Sequence, residues 1–137
     1  MQRVLHRLPL AAAAVLAFGA CGGGSGSAPS GGGQGTITGL VVKGPIQAAT
    51  VTAYPLDGNM NRGASLANAP TMPDGTFTLS VPPYNGALEV VAFGGTYPEE
   101  AVGVPVQLTH ELSIVVPGFQ SGASVDVTIS PISSIAR

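Results

Sequence analysis

Few side chains in this 137-residue chain have chemistry to offer, and their spacing limits what they can do. Cys21 is the only cysteine, so it can form neither an internal disulfide nor a paired-cysteine metal centre. His110 is the only histidine after the first twenty residues, and it lies in the polar stretch Thr109 to Glu111. A solvated loop position explains it better than a ligand or a general base does. No GxSxG elbow and no HExxH helix occurs, and the many serines fall in glycine-rich and turn segments without a base nearby. These residues predict no catalytic group, no transition-metal site and no cofactor.

Two acidic clusters remain. Asp57, Asn59 and Asn61 imitate the start of a calcium loop, but Arg62 stands where glycine is required and Asn68 where the bidentate Glu should be. A polar hairpin tip is the better account. Glu99 and Glu100 follow Tyr97-Pro98. With loop carbonyls they could hold calcium, or with Tyr97 they could form a polar contact surface. Adjacent residues of an extended chain diverge, so a shared catalytic role is excluded. A solvated loop with Tyr97 packed over the domain is favoured over ligand binding.

The elements around Cys21 indicate its role. Arg3, His6 and Arg7 precede the apolar run Leu8 to Phe18, and the small residues Gly19 and Ala20 lead into the cysteine. This is the three-part layout of a secretory signal. It resembles a bacterial lipoprotein signal, although Phe18 stands where that family usually has Leu. The resemblance implies cleavage between Ala20 and Cys21, lipid on Cys21, and attachment to a membrane through that lipid. Gly22 in place of Asp after the cysteine implies the outer membrane in a Gram-negative cell. The run of eleven apolar residues is too short to span a bilayer, which needs about 20. Gly22 to Gly35 reads GGGSGSAPSGGGQG, a flexible tether with a span of roughly 20 Å.

Removal of residues 1–20 leaves three basic residues against seven acids, a formal charge of −4. Lys43, Arg62 and Arg137 are too scattered to form a patch, which excludes nucleic acid as a partner. Apolar residues alternate with polar ones at Ala49–Tyr54, Thr76–Val81, Leu88–Phe93 and Ser124–Ile129, with less regular stretches at Ile37–Val42 and Leu112–Val116. Such alternation builds half-buried strands. Gly44-Pro45, Asp57-Gly58, Asp74-Gly75, Asn85-Gly86 and Pro117-Gly118 supply turns between them. The pattern predicts an all-β sandwich or barrel with Phe77 as its central aromatic. Ser130-Pro131, with Ile132 and Ile135 three apart, predicts a helix start. Residues 1–20 thus read as signal, 21–35 as lipidated cysteine and tether, 36–129 as the sandwich, and 130–137 as the beginning of a helix, with truncation of a longer protein as an equal alternative to a frayed terminus.

Gly39 and Val41, Gly44-Pro45-Ile46, Ala49-Thr50-Val51, Asp74-Gly75, Phe77 and Leu79 resemble a carboxypeptidase regulatory-like module. Gly94 to Glu100 resembles a form found in bacterial lipoproteins carrying it. The resemblance covers roughly Gly35 to Ala136 and implies a transthyretin-like, seven-stranded antiparallel β-sandwich. It also implies that Thr128 to Ala136 leads into a further helical region. Ala48 departs from the family, which often has glycine there. The resulting expectation is a non-enzymatic, lipid-anchored envelope lipoprotein whose sandwich is a structural or binding module. The alternatives are a module that binds glycans or an envelope protein, and an accessory domain of a longer enzyme.

Overall fold

The computed structural model describes residues 32–99 and 101–136. Ala20, Cys21, most of the tether, Glu100 and Arg137 lie outside the described residues.

The described residues are all-β apart from one short helix. A three-stranded sheet has β1 (Gly35–Val41) at its centre, between β4 (Thr76–Val81) and β9 (Ser124–Ile129). A four-stranded sheet runs in the order β3 (Ala67–Pro70), β2 (Thr50–Pro55), β5 (Gly86–Phe93), β8 (Leu112–Phe119). The small strands β6 (Thr96–Pro98) and β7 (Pro105–Gln107) form a separate hairpin. Helix α1 (Pro131–Ile135) follows β9.

Alternation produces this arrangement directly. Phe77, Leu79 and Val81 of β4 are buried while Thr76, Thr78 and Ser80 are exposed. Ile37, Val41, Val127 and Ile129 from the same sheet meet Val51, Leu88, Val90 and Ala92 from the other in one core. Phe77 belongs to that core as predicted, but Phe119 and Tyr97 are buried in it as well.

Several sequence expectations need correction. Pairing is not antiparallel throughout, because β1 and β9 run parallel, from Thr36 opposite Ser124 to Val41 opposite Ile129. The cause is the connection. β8 ends beside the start of β1, and the chain crosses there to the other sheet and climbs alongside β1. Pro117-Gly118 is not a turn. Gly86 pairs with Phe119 and Leu88 with Val116, so Pro117 and Gly118 together oppose Ala87 as a bulge, and β8 continues to Phe119. Strands β3, β6 and β7 were not predicted. They are short and rich in Ala, Asn and Pro, and lack a readable alternation.

The two ends of the sandwich differ. The chain enters at the start of β1, beside the β4–β5 and β8–β9 connections. Gly32 lies against Ser121 and Pro83 there, and the Ser121 amide donates to Asn85 Oδ1 at 2.8 Å. The β1–β2 connection, the β6–β7 hairpin and α1 gather at the opposite end.

Helix α1 has five residues, too few to hold itself together. Its serines stabilise it. The Ser133 amide donates to Ser130 Oγ and the Ser130 amide to Ser133 Oγ, a reciprocal cap. The Ser113 amide on β8 donates to Ser134 Oγ at 2.8 Å, and Ser133 Oγ donates to the Ser113 carbonyl at 2.8 Å. Two side chains thus stand in for a neighbouring strand at the edge of β8.

Candidate functional site

Tyr97 and Glu99, both singled out from sequence, lie in one open cleft of about 440 Å³ with Lys43, Gly44 and Ala101. The cleft sits at the end opposite the point where the chain enters. Its walls are held by a backbone clamp. The Gln47 and Thr96 amides each donate to the other's carbonyl at 3.0 Å, joining the β1–β2 connection to β6. Thr71 is buried and fixes the same connection from the other side. Its hydroxyl donates to the Ile46 carbonyl at 2.6 Å and accepts from the Ala49 amide at 3.0 Å.

Gly95 has φ +75°, and a Cβ there would stand 2.5 Å from the Ala49 amide nitrogen, so only glycine lets the two segments approach. Gly44, at φ +86°, lets the chain turn beneath Pro98.

Tyr97 is buried, and the Lys43 ammonium lies 5.0 Å from its ring centroid. This is cation–π geometry. The Tyr97 side chain first, and the negative charge of Glu99 to a lesser degree, hold the Lys43 ammonium above its ordinary pKa. Lys43 therefore stays charged at neutral pH, with a carboxylate facing it and free access from solvent. Such a cleft can receive a polar group with hydroxyls or a carboxylate. Sequence reasoning missed Lys43 because it is 54 residues from Tyr97, and only the pairing of Gln47 with Thr96 brings them together. His110 is exposed, as its polar stretch predicts.

The second charged group is closed. Glu89 of β5 is fully buried, and Arg62 grips it with two bonds, Nε to Oε2 at 2.6 Å and Nη2 to Oε1 at 3.1 Å. Arg62 Nη2 also donates to Glu111 at 2.9 Å, and the guanidinium lies 5.4 Å from the Tyr54 ring centroid. Its pKa is raised, chiefly by the bond to Glu89. A pocket of about 240 Å³ beside it is lined by Pro55, Leu56, Asp57, Asn61, Arg62 and Gly63. The Asp57 carboxylate is already engaged. Oδ1 accepts from the Asn59 and Asn61 amides, and Oδ2 from the Asn61 side chain. Those bonds, led by the Asn61 side chain, hold Asp57 below its ordinary pKa. The imitation calcium loop is a self-satisfied turn.

No family model matches the chain, and no curated protein matches it. Among solved structures, a 9R-lipoxygenase from Cyanothece PCC8801 is similar at 14% identity over 71% of this chain, with a TM-score of 0.43. The chain spans 16% of that protein, and a likeness this slight carries no argument about activity.

Proposed function

We propose that the chain is a non-enzymatic, lipid-anchored lipoprotein of the cell envelope, with a transthyretin-like sandwich as a structural or binding module. The position of Cys21 carries this reading. The cysteine stands directly after an apolar run and directly before a glycine-serine tether, where a lipid anchor would be attached and spaced from a folded domain. The three- and four-stranded sheets around one core support the transthyretin-like topology. The acidic balance of residues 21–137 argues against nucleic acid and leaves the lipid as the means of membrane attachment.

The Lys43–Tyr97–Glu99 cleft favours binding over a purely structural role. It faces away from the tethered end, with a charged amine and a carboxylate open to solvent. A glycan or a protein segment of the envelope fits that chemistry. Stable anchoring needs more than one acyl chain, so loss of the modified residue should release the protein. Cys21→Ser is expected to move it from the membrane fraction to an uncut or soluble form. A variant that stays membrane-bound at mature size would contradict the proposal.

A further inference from the structure

Helix α1 is amphipathic in the reverse of the usual sense. Ser133 and Ser134 bond to β8, while Ile132 and Ile135 are 79% and 85% exposed and no residue of the helix is buried. Apolar burial, which holds most short helices in place, contributes little here. The helix is held to the sandwich by hydrogen bonds, and among the described residues its side chains reach β8 only at Ser113.

The same hydroxyls hold the helix together. Ser133 Oγ accepts from the Ser130 amide at 2.8 Å and lies 2.8 Å from both the Ser113 and the Ser130 carbonyl oxygens. Ser134 Oγ accepts from the Ser113 amide at 2.8 Å and donates to the Ser130 carbonyl at 2.9 Å. Docking and helix formation therefore share their bonds. A helix of five residues does not persist by itself, so leaving β8 means unwinding, and unwinding means leaving β8.

We infer that α1 is a releasable strap over the edge of β8, which opens as one unit while the sandwich stays folded. Adjacent residues of β8 have opposite partners. The Leu56 amide donates to the Ala87 carbonyl, so Leu88, Val90 and Ala92 turn their backbones toward β8. Ile114, opposite Val90, is thereby bonded into the sheet. The Ser113 backbone points the other way, to α1.

Opening the strap breaks bonds at Ser113 and none at Ile114. It draws no α1 side chain out of an apolar interior, so it costs far less than unfolding the sandwich. Pro117 protects this edge permanently, because it has no N–H. The strap protects it conditionally, and its position decides whether the Ser113 backbone is covered or open.

Amide hydrogen exchange of the full chain in mild detergent, read residue by residue by NMR, tests the inference. The Ser113 amide is held by Ser134 Oγ and the Ser134 amide by the Ser130 carbonyl. After correction for intrinsic rates, these two should exchange alike and about a hundredfold faster than Ile114. Ser133→Ala leaves the acceptor of the Ser113 amide in place and does not lower helix propensity. It should nonetheless speed exchange at Ser113 about tenfold, with Ile114 unchanged, because it weakens the strap as a whole. A Ser113 amide as slow as Ile114 overturns the inference, since α1 then opens only with the sandwich. A Ser113 rate indifferent to Ser133→Ala also overturns it, because the bonds then break independently. Equal acceleration of Ser113 and Ile114 overturns it as well, by making α1 part of the sandwich.

Discussion

Two arginine- or lysine-centred clusters sit on the same sandwich and have opposite characters. Arg62 reaches over the four-stranded sheet and uses its bonds on Glu89 and Glu111, with its face against Tyr54. Lys43 covers Tyr97 but keeps its ammonium in solvent, at the rim of an open cleft. Burial makes the difference. A carboxylate with no solvent exposure must be paired, and Glu89 commits Arg62 to structure. Among the described residues no buried carboxylate commits Lys43 in this way, and its ammonium stays open to solvent beside Tyr97 and Glu99.

The sharpest way to break that comparison is to remove each cation in turn. Arg62→Ala leaves the buried Glu89 carboxylate without its arginine. The partly exposed arginine puts the loss near the lower end of the range for buried pairs, about 3 kcal/mol, read as a fall in the urea midpoint. Replacing Arg62 and Glu89 together with apolar residues should recover most of it, because no unpaired charge then remains. Ala48 gives the next effect. It adopts φ +56° in the clamp that shapes the cleft, a conformation natural to glycine and strained for alanine. Ala48→Gly should stabilise the domain by about 0.5–1 kcal/mol, seen as a rise in the same midpoint. Lys43→Ala should leave the midpoint where it is while abolishing retention on immobilised envelope glycan or protein. A midpoint lowered as far as by Arg62→Ala would show that the two clusters are equivalent.

The sequence made the half-buried strands readable and left their exceptions hidden. Phe77, Leu79 and Val81 alternate with hydroxyls, and the structure buries the first set and exposes the second. Glu89 lies on the solvent parity of β5, yet it is fully buried, because Arg62, 27 residues earlier, folds over it. No local pattern can report such a cover. Tyr97 and Glu99 were legible as a polar cluster, whereas Lys43 and Gly44 join them only through the Gln47–Thr96 pairing. The parallel β1–β9 pair was illegible for the same reason, since alternation gives the faces of a strand but not its neighbours. The Ala48 departure was visible in the sequence, and its positive φ supplies the physical content.

The central claim is that the membrane end of this molecule is the lipid on Cys21 and that its opposite end is free to bind. Mass spectrometry of the N-terminal peptide, from protein extracted from its own membranes, tests the anchor most directly. The account predicts a peptide that begins at Cys21 and carries the added mass of several acyl chains. A peptide that retains residues 1–20, or one with an unmodified Cys21, would contradict it.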